Sequence, residues 1–143
     1  MERARQVCLI VLLLIGMISP GCKRQRATDP GLEIEKESAR RGTEAYRKYR
    51  TADYPTAKSA LQDYLRFLDK VSSGPNPADE FREDALTTCV RLAKLEEKNH
   101  GSEQAAYMKE AVARCQKFKV YMGGCSEENL RKGTDRLDEF SPK

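Results

Sequence analysis

The chain of 143 residues has no tryptophan and a single histidine, His100, and its five cysteines form no Cys-x-x-Cys pair. The absence of that pair removes the usual ligand spacing of a structural zinc site and the attachment motif of a c-type haem. One histidine, in a predicted turn, also leaves most nucleophiles without a base. We therefore predict that the protein is not an enzyme and that it holds no metal ion or cofactor.

Two further absences narrow the class of protein. No strand-length segment alternates apolar and polar residues, so we expect no β-sheet. The 26 basic residues are nearly balanced by 22 acidic residues, whereas nucleic-acid-binding domains carry a strongly basic face, and we expect no nucleic-acid partner. The carboxylates that could act in pairs cluster on predicted charged helix faces, where solvation explains them: Glu33, Glu35, Glu37, Glu96, Glu97, Glu127 and Glu128.

Long apolar runs are also scarce, and the longest one without a charge extends only from Val7 to Ile18. A helix that crosses the hydrocarbon core of a bilayer needs about 20 apolar residues, so this run is too short for a stable span. It follows a short basic start with Arg3 and Arg5 and precedes small residues, an order that is typical of a signal peptide. The alternative is an N-terminal helix buried in the mature fold.

The residues after this run, Ser19-Pro20-Gly21-Cys22, resemble the lipobox of bacterial lipoprotein signal peptides. That motif is usually Leu, a small residue, Gly or Ala, and then Cys. Gly21 and Cys22 match its last two positions, whereas Ser19 stands where Leu is usual. The resemblance implies a signal peptide over residues 1–21, cleavage before Cys22, and acyl chains on the thiol and the new amine of that residue.

Lipidation at Cys22 would make residues 22–30 a tether between the membrane and a helical domain over residues 31–143. Two or three acyl chains hold a protein on a bilayer, whereas one chain binds only marginally. Lys23 follows the Cys, in place of the Asp that retains enterobacterial lipoproteins at the inner membrane, so we expect an outer-membrane location where the host has one. Cleavage at the small residues Ser19 and Gly21, which would secrete the protein, and an uncleaved anchor are the alternatives.

Beyond the tether, apolar residues recur every three or four positions, which predicts an all-α fold of about five helices. The clearest apolar stripe follows the cap Asp53 and consists of Ala57, Leu61, Tyr64, Leu65 and Leu68. Gly42 interrupts the first predicted helix at a cost of about 1 kcal/mol relative to Ala, which indicates close packing there. In the turn after the third helix, we expect Gly101 to take the left-handed conformation and Ser102 to cap the next helix.

The segment from Ala45 to Leu65 resembles a tetratricopeptide-like helical hairpin, with Tyr54, Ala57 and Leu61 at matching positions. A looser copy of the outline follows about 47 residues later, against a family repeat of about 34. The resemblance implies an array of antiparallel hairpins. A plain antiparallel bundle is the alternative.

Three cysteines lie in the helical domain, and an exported protein meets oxidising conditions that favour pairing. Cys89 and Cys115 lie at similar distances from the turn near residue 100, so an antiparallel hairpin brings them to about the same level. We predict a Cys89–Cys115 disulfide, with Cys115–Cys125 as the main competitor and buried free thiols as the remaining possibility.

Four tyrosines of the first two helices form the candidate interaction surface: Tyr46, Tyr49, Tyr54 and Tyr64. A tyrosine ring buries apolar area while its hydroxyl stays polar, which suits interfaces, although these rings could simply pack between the two helices. We predict a membrane-anchored, non-catalytic module that binds an unidentified protein through a helical groove. The alternative is a structural lipoprotein of the cell envelope that forms homo-oligomers without a specific ligand.

Overall fold

The computed structural model describes residues 29–74, 78–119 and 123–140, which contain five α-helices and no strand. The helices are α1 (Pro30–Thr51), α2 (Tyr54–Ser72), α3 (Asp79–Lys98), α4 (Gln104–Phe118) and α5 (Glu127–Phe140). The predicted all-α fold is therefore confirmed. The predicted signal peptide, the lipidation site Cys22 and most of the tether lie outside the described residues.

The first two helices begin at aspartate side-chain caps, of which Asp53 is predicted above. Asp29 accepts a hydrogen bond from the backbone N–H of Gly31 at 3.0 Å, with Pro30 in the first turn. Asp53 accepts one from the backbone N–H of Thr56 at 2.9 Å. These carboxylates satisfy backbone donors that have no partner inside the helix, which fixes where α1 and α2 start.

The first four helices pack in chain order as antiparallel neighbours, α1 against α2, α2 against α3 and α3 against α4. Tyr64 of α2 contacts Asp84 near the start of α3. Ten residues earlier in α2, Tyr54 contacts Glu96 near the end of α3. The chain therefore runs in opposite directions along these two helices, and α1 runs parallel to α3.

Helix α5 packs against α3 and α4 but runs antiparallel to α3. Among the described residues, four ion pairs join α3 to α5: Arg91 to Asp138, Lys94 to Asp135 and Asp138, and Glu97 to Arg131. Residue numbers rise along α3 as they fall along α5. In an array of repeated hairpins α5 would run in the same direction as α3, so α5 does not begin a third hairpin of that kind.

The apolar residues form two clusters that share α3. The first core cluster joins α1, α2 and α3 through Ala45, Ala57, Leu61, Tyr64, Leu68, Phe81, Ala85, Leu92 and Leu95. The second core cluster joins α3, α4 and α5 through Leu86, Cys89, Val90, Ala93, Met108, Ala111, Cys115 and Leu130. Because α3 contributes to both clusters, it is buried on most of its surface.

The disulfide predicted between Cys89 and Cys115 is wrong. Cys115 is bonded to Cys125, with their Cα atoms 5.6 Å apart, and Cys89 is a buried free thiol. A disulfide requires Cα atoms within about 7 Å, whereas helices usually pack with axes 8–10 Å apart. Cys125, shortly before α5, is close enough to Cys115, so the competing pairing is the one that forms.

Candidate functional site

A groove with a volume of about 740 Å³ runs along α1 where it faces α3. Ten residues line it: Ala39, Gly42, Thr43, Tyr46, Arg47, Arg50, Thr51, Tyr64, Asp84 and Arg91. Three of these carry a positive charge and one a negative charge. Small and aromatic side chains supply the apolar part of the groove, so it combines an apolar surface with an excess of guanidinium groups.

Tyr46, in the groove, links α1 to α5. Its hydroxyl donates a hydrogen bond to the backbone oxygen of Asp138 in α5, at 3.1 Å. The guanidinium of Arg91 lies 4.4 Å from the centre of its ring and that of Arg50 lies 5.7 Å away. Both distances are within the range of a cation–π interaction. The Tyr46 side chain is therefore held by the hydrogen bond of its hydroxyl and by two cation–π contacts of its ring.

The three arginines of the groove differ in their partners. Arg91 donates to Asp138 through Nε at 3.0 Å and Nη2 at 2.8 Å, and Arg47 pairs with Glu44 at 2.8 Å. Arg50 has no carboxylate partner among the described residues, and its Nη1 lies 3.4 Å from the hydroxyl of Tyr46. Arg50 is therefore the groove cation that is best placed to bind an external anionic group.

Tyr64 lies beneath the groove and is only 6% exposed. Its hydroxyl donates to Asp84 Oδ2 at 2.8 Å and lies 3.3 Å from Ser38 Oγ. Burial and the nearby Asp84 carboxylate raise the pKa of Tyr64, so it stays a neutral donor. A Cβ added at Gly42 would lie 2.8 Å from this hydroxyl, which explains why the first helix has a glycine at this position.

The other two predicted surface tyrosines lie outside the groove lining. Tyr49 is half-buried against the first core cluster, with its ring centre 6.2 Å from that of Tyr46. Tyr54 packs at the opposite end of α2 and donates to Glu96 Oε1 at 2.5 Å. The predicted set of four tyrosines is therefore split between the groove, which Tyr46 and Tyr64 line, and the packing of the first two hairpins.

The sequence places Glu96 on a solvated, charged helix face. In the structure, however, Glu96 is buried and only 1% exposed. Besides Tyr54, it accepts from Lys58 Nζ at 2.8 Å and from the backbone N–H of Glu103 at 3.1 Å. Burial by itself raises the pKa of Glu96, but these hydrogen bonds outweigh burial and lower it, so the carboxylate stays charged. It anchors the turn between α3 and α4 to α2.

That turn also differs from its predicted conformation. His100 is exposed and takes the left-handed conformation, with φ at 54°, in place of Gly101. A Cβ at Gly101 would lie 2.0 Å from Glu96 Oε2, so glycine is needed for the close approach of the buried carboxylate. Glu103 occupies the cap position of α4, where Ser102 is expected, and makes no side-chain capping bond.

The free thiol and the acidic side chains of the described residues form neither a reactive centre nor a metal site. Burial raises the pKa of the Cys89 thiol to about 12, which keeps it protonated and unreactive. Across residues 29–74, 78–119 and 123–140, His, Cys, Asp and Glu side chains form no group of three or more that could hold a metal ion. None of the helices in these ranges has the length and apolar character needed to cross a membrane.

The arginines of the groove were not among the residues predicted from the sequence. Two signals could have found them. Arg50 lies four residues after Tyr46, so the two side chains share a face of α1. Arg91 stands between Val90 and Leu92 in an apolar stretch of α3, where a charged residue needs a partner.

Comparison of the chain with protein-family models, with curated proteins and with solved structures finds no match. The functional conclusion therefore depends on the residues and contacts described above.

Proposed function

We propose that the protein is a membrane-anchored bacterial lipoprotein whose helical domain is a non-catalytic interaction module. The groove along α1 binds a segment of a partner protein. The single observation that carries this proposal is the groove itself, with its arginine and tyrosine lining. Its volume of about 740 Å³ lies within the range of ligand sites, and both residue types are enriched where binding energy concentrates.

The charge of the groove favours a partner segment with acidic side chains. Arg47 and Arg91 already pair with carboxylates, whereas Arg50 keeps its charge available beside the ring of Tyr46. A carboxylate can accept two parallel hydrogen bonds from one guanidinium, and an adjacent apolar side chain can pack on the tyrosine ring. An acidic and apolar segment satisfies both requirements.

The anchor is supported by the sequence motif that ends at Cys22 and by its spacing from the fold. Helix α1 begins at Pro30. The intervening seven residues span at most about 25 Å when fully extended. An acylated Cys22 would thus hold the helical domain close to the bilayer. The tetratricopeptide-like interpretation is proposed only for the hairpins that α1–α4 form, because α5 runs in the opposite direction to α3.

The anchor is tested by the mass of the mature protein purified from membranes, together with a Cys22→Ala variant. We expect a mature chain that begins at Cys22 with acyl groups attached, and we expect the variant to leave the membrane fraction. An unmodified N-terminus, or a variant that stays equally bound to the membrane, overturns the proposed anchor.

The groove is tested by a photoreactive phenylalanine analogue that replaces Thr43, an exposed groove residue, in intact cells. We expect a single cross-linked partner protein, and we expect Arg50→Glu to abolish the product. Two controls are matched: the same analogue at Lys132 on α5, and Arg66→Glu, which reverses the charge of an exposed arginine on α2. Equal products from both analogue positions, or no product from either, overturn the proposal.

Self-association is the second candidate function, and the end of α5 favours it. Phe140 is 86% exposed and Leu137 is 48% exposed. The two side chains are three residues apart on one face of α5, and a contiguous exposed apolar patch is a feature of protein–protein interaction sites. If this candidate is correct, the sedimentation coefficient rises with concentration, Phe140→Glu prevents that rise, and the Thr43 cross-links join copies of the chain.

A further inference from the structure

A second pocket, of about 510 Å³, lies at the end of the domain that α2 and α4 reach and from which α3 starts. Its lining includes Ser72 at the end of α2, Arg82 in the first turns of α3, and Lys117 and Phe118 at the end of α4. It shares no residue with the groove along α1. A ligand here would therefore be independent of the proposed protein partner.

Two polar atoms of this pocket have no hydrogen-bond partner although they are buried. They are Ser72 Oγ and Arg82 Nε, and no other buried side-chain nitrogen or oxygen in the described part of the chain is unsatisfied. Unsatisfied buried polar groups are rare in native proteins. Both residues line the same pocket, so a ligand with hydrogen-bond acceptors in that pocket would be offered two donors that have no protein partner.

The guanidinium of Arg82 is already fixed in place. Its Nη1 donates to Asp79 Oδ1 at 3.0 Å, and its Cζ lies 4.8 Å from the centre of the Phe118 ring. Neither contact uses Nε, so this donor stays available while the side chain is held. A preoriented donor loses little conformational freedom when a ligand arrives.

The charges around the pocket favour an anion. Arg114 is neutralised within the lining, by Asp69 at 2.6 Å and by Glu110 at 2.8 Å. Lys117 makes no ion pair with any described residue, and its Nζ lies 5.0 Å from the Phe118 ring centre. Lys117 therefore supplies positive charge that no described carboxylate neutralises, in the same pocket as the two unsatisfied atoms.

We propose that this pocket binds a phosphate group, with Arg82 Nε and Ser72 Oγ as donors and Lys117 as the compensating charge. The three residues come from three helices, and a tetrahedral phosphate offers acceptor oxygens in several directions, whereas a carboxylate offers two in one plane. The pocket volume leaves room for a glycerol-sized group beside the phosphate.

The phosphate has two possible sources, a phospholipid headgroup and a free phosphate ester. Helix α1 starts at the same end of the domain as the pocket, because α1 is antiparallel to α2, which ends there. The lipid source is favoured by this placement and rests on the proposed anchor at Cys22, which would bring this end to the bilayer. The phosphate site itself does not depend on that anchor.

The test follows the Arg82 Nε–H resonance of the full chain in phosphate-free maltoside micelles, assigned by its loss in Arg82→Lys. We expect a saturable downfield shift when glycerol 3-phosphate is added, and the same shift when phosphatidylglycerol is mixed into the micelles. A shift with the lipid at a much lower concentration than with the free ester identifies the headgroup as the source, and the reverse identifies the free ester. No shift with either probe overturns the site.

Variants separate this site from a general effect of charge. We expect Ser72→Ala to weaken binding of glycerol 3-phosphate about tenfold, because a charged acceptor loses one hydrogen bond. Lys117→Gln should weaken it severalfold, whereas Lys132→Gln, the same charge change on α5, should leave it unaltered. Equal weakening by the two lysine variants overturns the site, and helical circular dichroism confirms that each variant is folded.

Discussion

The two core clusters bury similar kinds of apolar residues, but the interactions that join the helices around them differ. Around the first cluster, α2 and α3 are joined by polar contacts of buried groups, those of Tyr64 with Asp84 and of Glu96 with Tyr54 and Lys58. The hydroxyl of Tyr64 also lies 3.3 Å from Ser38 Oγ, which links α1 to the same group. Around the second cluster, the Cys115–Cys125 disulfide joins the end of α4 to the segment before α5. Within the described residues, the second region alone has a covalent cross-link, which acts there alongside the ion pairs between α3 and α5.

This difference matters because the groove belongs to the region without the covalent bond. Helix α1 packs mainly on α2 and touches α3 only slightly, whereas α3 is enclosed by its neighbours. Elements with fewer buried contacts open at a lower free energy than the core. We therefore expect substitutions in the polar network to loosen the groove, and loss of the disulfide to loosen α5 first.

The largest expected effect is that of Glu96→Ala. The substitution removes the charge that Lys58 faces and leaves the hydroxyl of Tyr54 and the backbone N–H of Glu103 without their acceptor. Breaking a buried pair in this way costs about 3–5 kcal/mol. Urea unfolding should show a loss of this size, whereas Glu97→Ala, which removes a half-exposed neighbour paired with Arg131, should cost less than about 1 kcal/mol.

The same carboxylate makes stability depend on acid. Its pKa in the folded protein lies below the ordinary value of 4.5, because the hydrogen bonds from Lys58, Tyr54 and Glu103 to the charged form outweigh the opposing effect of burial. The stabilisation that the charged Glu96 carboxylate gives to the fold is therefore fully present above pH 4.5. It is lost as the pH falls through the lower pKa that Glu96 has in the folded protein. We expect unfolding free energy to fall less steeply below pH 4.5 in Glu96→Gln than in the wild type. Parallel curves would contradict this assignment.

Loss of the disulfide is expected to have the next largest effect. The bond closes a loop with a sequence separation of 10, and Cys125→Ala should cost about 2–3 kcal/mol under oxidising conditions by the loop-entropy argument. Hydrogen exchange should accelerate in α5 and at the end of α4 but not in α1. A reducing agent should destabilise the wild type and leave Cys125→Ala unchanged. An equal effect of the reductant on both would assign the loss to something other than this bond.

Gly42→Ala tests the close packing of the first cluster. Alanine favours the helix by about 1 kcal/mol, but its Cβ would lie 2.8 Å from the hydroxyl of Tyr64, which Asp84 holds in place. We expect a net loss of about 1 kcal/mol in thermal or urea unfolding. In a Tyr64→Phe background, which removes that hydroxyl but leaves the ring Cζ 3.0 Å from the added Cβ, the same change should cost less than in the wild type. A gain in both backgrounds would mean that the ring moves aside freely.

Helix positions could be predicted from the sequence because local signals set them. The apolar stripe of α2 and the caps Asp29 and Asp53 act within a few residues, and the structure has both helices where these signals place them. The choice between disulfide partners is not local, since it depends on where the segment after α4 returns. The direction of α5 is not local either, since its ion pairs join residues 34 to 47 positions apart in the chain.

The candidate site was only partly predictable for a related reason. Tyr46 and Tyr64 follow from their residue type, but the groove also depends on Arg91, whose partner Asp138 is in another helix. Glu96 was assigned to a charged face because Glu97 and Lys98 follow it. Its burial depends on α2 bringing Lys58 and Tyr54 within reach, which no pattern inside α3 could indicate.

The smallest expected effect is that of Tyr46→Phe, which separates the two roles of this residue. The substitution removes the hydrogen bond from the hydroxyl to Asp138 in α5 but keeps the ring beside Arg50 and Arg91. We expect a loss of about 0.5–1 kcal/mol in urea unfolding, faster hydrogen exchange at the end of α5, and unchanged cross-linking from Thr43. Tyr46→Ala should abolish that cross-linking as well. If Tyr46→Phe also abolished it, the hydroxyl rather than the ring would be the partner's contact, and the groove would recognise its partner through the link between α1 and α5.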